Sequence, residues 1–107
     1  MEYQFTKENF NEEVLNSDIP VMVDFYADWC GPCRMMMPVV KKMAEKYDKR
    51  VKVGKVNTEL QPDLTARFGI MSIPSFYFFK DGKVVASAVG GMSENDMDEK
   101  VGHLLNA

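Results

Sequence analysis

The chain alternates between segments whose apolar residues have the period of a strand and segments whose apolar residues have the period of a helix. Residues 21–26 are apolar except for Asp24, which predicts a central strand that is covered on both faces. In the segment that follows, apolar residues recur at helical spacing as far as Tyr47. Pro38 lies inside that pattern and is expected to kink the helix.

Shorter signals mark the regions before and after this pair of elements. Thr6 is expected to cap a first helix that runs to about Asn16. Residues 51–56 have the apolar character of a further strand. Over residues 62–69, a proline at the first turn and a glycine just past the end predict a short helix.

The last third of the chain predicts two strands and a helix. The strands, residues 75–79 and 83–89, are joined by Asp81-Gly82, a dipeptide typical of a type I′ hairpin turn. Ser93 begins a pattern that resembles a capping box, and it opens a final helix through Leu105.

The predicted elements follow one another in the order β-α-β-α-β-α-β-β-α. Helical crossovers between the early strands imply parallel pairing, and the hairpin adds an antiparallel pair. The sequence therefore predicts an α/β fold, a central mixed five-stranded sheet flanked by four helices in three layers. The chain has 107 residues without a linker or repeat, so we expect a single domain over residues 1–107.

Composition narrows the classes of function. Thirteen basic residues against sixteen acidic ones leave a net charge of -3, which weighs against nucleic acid as a partner. No apolar run approaches the roughly 18 residues of a membrane span, so no membrane is expected as a partner. The first residues lack the basic and apolar regions of a signal peptide, so we expect a cytoplasmic protein. A mature form that has lost a transit peptide remains an alternative.

The two cysteines stand in the segment Trp29-Cys30-Gly31-Pro32-Cys33, where the predicted central strand gives way to the long helix. Two thiols at this spacing can close a small disulfide and reopen it. A disulfide stabilises mainly by closing a long loop, and this loop is very short, so reactivity is the better interpretation. A structural zinc site needs four ligands and the chain has one histidine, so no metal is expected in a monomer. A dimer that bridges a metal or cluster remains an alternative.

Residues 23–33 resemble the thioredoxin family closely, and the resemblance extends over nearly the whole chain. The segment 29–33 matches the family's active-site motif at every position. Supporting matches are spread along the sequence at Asp24, Pro38, Lys55, Ile73-Pro74, Gly82 and Gly90. The chain departs from the common pattern at Tyr26, at residues 57–59 and at Ser75. The resemblance implies the thioredoxin fold, and it implies a thiol–disulfide oxidoreductase that reduces protein disulfides.

Within this motif the two cysteines are expected to have different roles. Cys30 is the expected nucleophile, because unpaired N–H groups at a helix N-terminus favour a thiolate. Cys33 lies one turn further on, where it can resolve the mixed disulfide. Gly31 keeps the approach path open, and Pro32 stiffens the loop and removes an N–H group that would stabilise the thiolate. The reversible Cys30–Cys33 disulfide is then the redox centre, and no cofactor is expected.

Asp24 is costly to bury in its charged form among apolar strand residues. We interpret it as a proton acceptor near Cys33, with a pKa raised by desolvation. The alternative is a carboxylate that is turned outward or satisfied by local donors. Lys55 matches a family residue that lies near this carboxylate and moderates its charge.

The resemblance also implies a docking surface for substrates. The Ile73–Pro74 peptide bond is expected to be cis and to pack against the thiol pair. The backbone of Ile73 would then offer strand-like hydrogen bonds to an extended client segment. The apolar surface around it would consist of Trp29, Met71, Ile73, Pro74, Gly90, Gly91 and Met92. For Met71 and Met92, plain packing remains the alternative to client contact.

The implied partners are disulfide-containing client proteins and a flavoprotein thioredoxin reductase, with the protein itself a monomer. One alternative is an oxidant or isomerase on the same fold, which Gly31-Pro32 disfavours. Another alternative is a scaffold subunit whose redox activity is incidental.

Overall fold

The computed structural model describes residues 1–106, and this part of the chain contains five strands, three α-helices and one short π-helix. In chain order they are β1 (Glu2–Gln4), the π-helix (Asn11–Leu15), β2 (Val21–Tyr26), α1 (Gly31–Lys46), β3 (Lys52–Asn57), α2 (Pro62–Arg67), β4 (Ser75–Lys80), β5 (Lys83–Val89) and α3 (Glu94–Leu105). This order confirms the predicted succession of five strands and four helices.

The strands form one mixed sheet in the order β1-β3-β2-β4-β5. Strands β1 and β2 both run parallel to β3, whereas β4 is antiparallel to β2 and to β5. The central position of β2 explains its apolar sequence, because its first five residues are buried. The predicted mixed sheet with helices on both faces is confirmed.

Each face of the sheet carries its own apolar core, because successive strand side chains point to opposite faces. One face packs against α1 and α3 through a cluster that includes Met22, Val53, Phe76, Phe78, Met36, Val40, Met97 and Val101. The other face packs against the π-helix and α2 through Phe5, Phe10, Val14, Val23, Phe25, Leu64 and Phe79. The two faces are called the α1/α3 face and the α2 face below.

The first helix is shorter than predicted, and the predicted Thr6 cap is wrong. The carbonyl of Thr6 accepts hydrogen bonds from the N–H groups of Asn9 and Phe10, at 3.2 and 2.9 Å. Asn9 Oδ1 in turn accepts from the Thr6 N–H at 2.8 Å, and Asn9 Nδ2 donates to the Gln4 carbonyl. The asparagine side chain therefore organises a turn here, and the helix begins only at Asn11.

The turn signals in the second half of the chain are confirmed. Asp81 and Gly82 have φ of 53° and 77°, as a type I′ hairpin requires at both central positions. Ser93 Oγ accepts from the Asp96 N–H at 3.1 Å and caps α3. Helix α1 runs through Pro38 to Lys46.

Candidate active site

The cysteine pair lies where β2 ends and α1 begins. Cys30 has extended backbone and is the N-cap of α1, and its sulfur accepts a hydrogen bond from the Cys33 N–H at 3.2 Å. The two cysteines form a disulfide, with their Cα atoms 5.2 Å apart. The helix N-terminus thus directs an N–H group at Cys30, which is the arrangement that favours a sulfur anion when the pair is reduced.

The disulfide is packed into the protein surface. Cys30 is 5% exposed and Cys33 is 2% exposed, so the two cysteines differ little in exposure. Ala27 is buried beside them, and Tyr26 and Ile73 pack against this group. Little of either cysteine is therefore accessible to solvent.

The loop before β4 also lies against the disulfide. The Ile73–Pro74 peptide bond is cis, as the resemblance implied. The carbonyl oxygen of Ile73 lies 3.8 Å from the sulfur of Cys30, and the Pro74 carbonyl accepts from the Gly90 N–H at 2.8 Å. This loop and the end of β5 therefore meet beside the redox centre.

Asp24 is a buried carboxyl group in the middle of the sheet. Its side chain is on the α1/α3 face, as are those of its register neighbours Lys55 on β3 and Phe76 on β4. The residue is 3% exposed, and its Oδ1 has no hydrogen-bond partner within residues 1–106. Burial raises the pKa of Asp24 to about 7; the charge of Glu2 raises it as well, whereas Lys55 lowers it. A carboxyl group with this pKa exchanges protons near neutrality.

Lys55 lies beside Asp24 in register but does not form an ion pair with it. Its ammonium lies 5.2 Å from the centre of the Tyr26 ring, at the end of β2. None of the ion pairs found within residues 1–106 contains Lys55 or Asp24. Tyr26, which departs from the family pattern, thus provides a cation–π partner for the ammonium of Lys55.

The predicted docking residues differ in exposure. Trp29 is 66% exposed and Met71 is 96% exposed, so both present apolar surface to solvent beside the cysteine loop and the Ile73 loop. Met92 is partly buried and packs against the core of the α1/α3 face, and its N–H lies 3.4 Å from Met36 Sδ. Gly90, with φ of 96°, has open space where a side chain would stand.

Two residues near the site, Asn57 and Glu2, were not identified from the sequence. Asn57 is buried at the end of β3, and its Oδ1 accepts from the N–H groups of Glu59 and Leu60. An asparagine directly after a strand is a turn signal that could have revealed this. Glu2, whose charge acts on Asp24, had no such signal, because its position depends on the pairing of β1 with β3.

The described part of the chain contains no cluster of side chains that could bind a metal ion. Within residues 1–106, no group of three or more histidine, cysteine or carboxylate side chains is placed to hold a metal ion. The same residues contain no helix that is long and apolar enough to cross a membrane.

A disulfide at the start of a helix, facing a cis-proline loop on a mixed sheet, defines the class of thiol–disulfide exchange proteins. The family model described as Thioredoxin matches residues 2–103. The chain is 42% identical to Thioredoxin of Porphyra purpurea over 103 residues, which cover 96% of both chains. It is 46% identical to Thioredoxin 1 of Nostoc sp. over 90% of both chains, and 49% identical to Thioredoxin 1 of Synechococcus elongatus over 86% of both.

The chain therefore belongs to the thioredoxin family. It is a thiol–disulfide oxidoreductase that reduces protein disulfides by dithiol–disulfide exchange, and the Cys30–Cys33 pair is its redox centre.

Proposed function

We propose that Cys30 is the nucleophile and Cys33 the resolving thiol of this exchange. In the first step the Cys30 thiolate attacks one client sulfur, and the second client sulfur leaves as a thiolate and takes a proton. In the next step Cys33 attacks the Cys30 sulfur, the Cys30–Cys33 disulfide forms, and the client's remaining sulfur leaves. The client gains two electrons, and the dithiol of the protein loses two.

The hydrogen bond between the Cys33 N–H and the Cys30 sulfur, 3.2 Å long, is the observation that carries this assignment. An N–H group at a helix start stabilises negative charge on Cys30, and it stabilises none on Cys33, which lies within the helix. Gly31 supports the approach of a client, because a side chain there would meet nothing within 4 Å. Pro32 is exposed in the first turn and has no N–H to offer a thiolate.

Asp24 is the proposed proton acceptor for Cys33, through a bridging water. The carboxyl group faces the layer that contains α1, and Cys33 is the buried residue of the first turn of that helix. With a pKa raised to about 7 by burial, Asp24 is partly ionised at neutral pH and still basic enough to take a thiol proton. Lys55 would keep the ionised form from becoming too costly.

Clients are proposed to dock as an extended segment against the Ile73 backbone, beside the disulfide. Trp29 and Met71 would contact the client through their exposed apolar side chains, and Pro74, Gly90 and Gly91 would form the floor of the surface. Met92 would contribute at its edge. We further propose that a flavoprotein thioredoxin reductase restores the dithiol, in the cytoplasm, and that residues 1–107 act as a single monomeric domain.

The test is a trapping experiment with disulfide-containing client proteins. The variant Cys33→Ser should accumulate mixed disulfides through Cys30, and peptide mapping should find every client linked to residue 30. The matched variant Cys30→Ser should trap few clients, because its remaining thiol lies inside the helix, where the N–H groups of the helix start do not stabilise a thiolate. Equal trapping by both variants, or trapping mainly through Cys33, would reverse the assignment.

A further inference from the structure

Glu2 shares a sheet face with Asp24 although the two residues are far apart in sequence. In the parallel pairing of β1 with β3, Glu2 stands opposite Val53 and Gln4 stands opposite Lys55. In the pairing of β3 with β2, Lys55 in turn stands opposite Asp24. Residues in register, and residues two apart on one strand, point to the same face, so Glu2 lies on the α1/α3 face with Asp24.

The contacts of Tyr3, the next residue on β1, confirm that Glu2 lies on this face. Tyr3 packs against the core of the α2 face, so Glu2 on its flank points the other way. Two strand spacings and two residues along the strand separate Glu2 from Asp24, which puts their backbones about 12 Å apart. The side chain between them on β3 is Val53, which is apolar and fully buried. The field of Glu2 is therefore poorly screened in the direction of Asp24.

Few other charged or titratable groups face Asp24. The elements around it contribute Glu2 on β1, Lys55 on β3, Tyr26 on its own strand and Cys33 on α1, while its neighbour Phe76 on β4 is apolar. Lys55 is drawn toward the Tyr26 ring, and Oδ1 of Asp24 has no partner in the described chain. Within residues 1–106 the charges that act on Asp24 are the carboxylate of Glu2 and the ammonium of Lys55, and their effects oppose each other.

We propose that Glu2 is a positioning residue for the exchange reaction, whose negative charge acts from β1 on the Asp24 carboxyl group across the shared face of the sheet. This rests on the proposed role of Asp24 as the proton acceptor for Cys33. A carboxylate that binds its proton more tightly is a stronger base toward the thiol in the resolving step. The direction agrees with the effect of the Glu2 charge on the pKa of Asp24, which it raises.

The test measures the Asp24 carboxyl itself, by carbon NMR titration of the oxidised protein, in which neither cysteine has a proton to lose. The variant Glu2→Gln should lower the proton affinity of Asp24 about two- to threefold, as expected for one charge at about 12 Å. The variant Glu2→Lys should lower it further, and Glu2→Asp should keep most of the wild-type value. The proton affinity of Asp24 should thus follow the charge of residue 2 through this series of variants, and a purely structural role of residue 2 would not produce that order.

The matched control is Glu12→Gln, which removes the same charge from the exposed surface of the π-helix, on the α2 face. It should leave the Asp24 midpoint unchanged. The proposal would be overturned if Glu2→Gln left the midpoint in place, or if Glu12→Gln moved it equally. The pH profile of mixed-disulfide resolution should shift with the titration in the Glu2 variants. If the titration shifts but Asp24→Asn resolves mixed disulfides at the wild-type rate, the proton-acceptor role fails and the electrostatic coupling stands.

Discussion

At the scale of single residues, the main feature is the free-energy cost of burying the carboxyl group of Asp24. A carboxyl group that is 3% exposed, with one oxygen unpartnered in the described chain, destabilises the fold whenever it is ionised. Lys55 offsets part of this cost, but its ammonium is directed to the ring of Tyr26. The presence of such a destabilising residue in the core is explained if Asp24 is needed for proton transfer with Cys33.

Replacing Asp24 by alanine should therefore stabilise the protein at high pH. Because its folded pKa of about 7 lies above the unfolded value of about 3.9, the folded state holds a proton that the unfolded state has lost. Stability thus falls as pH rises from the unfolded to the folded pKa, by roughly 4 kcal/mol in all. After a small cavity cost, Asp24→Ala should gain about 2–3 kcal/mol at pH 8 and much less at pH 4.

Chemical denaturation of both proteins at the two pH values measures this difference in the free energy of unfolding. The same variant should reduce insulin disulfides more slowly if Asp24 has the proposed role, because Cys33 would then lack its proton acceptor. A variant that is less stable than wild type at pH 8, or that retains full activity, would show that Asp24 is an ordinary satisfied carboxyl group.

At the scale of elements, the strands and long helices were predictable because their signals are local. An apolar run, a helical period and a glycine at positive φ each act within a few residues, and the structure has β2, α1 and the β4–β5 hairpin where these patterns put them. The first helix begins later than predicted because the side chain of Asn9 binds the Thr6 N–H and the Gln4 carbonyl, which folds residues 6–9 into a turn ahead of the helix.

The candidate site divides in the same way. Cys30 and Cys33 stand out in the sequence by their spacing where a strand gives way to a helix, and Asp24 stands out because a carboxylate conflicts with the apolar strand around it. Glu2 could not be identified in this way, because it shares a sheet face with Asp24 only through the register of three strands. The orientation of Lys55 toward Tyr26 is likewise a matter of packing.

The hairpin turn between β4 and β5 offers a test of how elements are fastened together. Gly82 has φ of 77°, and a Cβ atom built on it would stand 2.6 Å from the carbonyl oxygen of Leu15 in the π-helix. Gly69, with φ of 61°, has nothing within 4 Å of the same atom. Gly69→Ala should lower the free energy of unfolding by about 1–2 kcal/mol, which is the strain of a left-handed backbone at alanine. Gly82→Ala should lower it by at least about 1 kcal/mol more, because its Cβ also meets Leu15.

Urea denaturation of the two variants separates the backbone cost from the contact cost. Equal losses of stability in both variants would mean that the turn moves away from the π-helix without resistance. A larger loss in Gly82→Ala would show that the α2 face depends on this close approach.

At the scale of the whole molecule, the sheet separates the reactive end from the opposite end. Strand β2 runs toward the cysteines, and the antiparallel β4 starts at that end, so Ser75 and Val89 pair beside the site. The Asp81–Gly82 turn and the start of β5 lie at the far end. Exposed apolar residues occur at both ends, with Met71 near the site and Val84 near the turn.

This division predicts that a charge at Met71 impairs client reduction and that the same charge at Val84 does not. Met71 is 96% exposed, so Met71→Glu should leave the free energy of unfolding nearly unchanged, and Val84, 44% exposed, provides the matched control Val84→Glu. If a client buries about half of the methionine, losing that contact lowers kcat/KM for a protein disulfide about three- to tenfold. A small aromatic disulfide, which reaches Cys30 without covering Met71, should be reduced within about twofold of the wild-type rate by both variants. Steady-state rates with insulin and with the small disulfide distinguish docking from chemistry. Loss of both activities in Met71→Glu would point to damage at the Ile73 loop, and full activity toward insulin would remove Met71 from the docking surface.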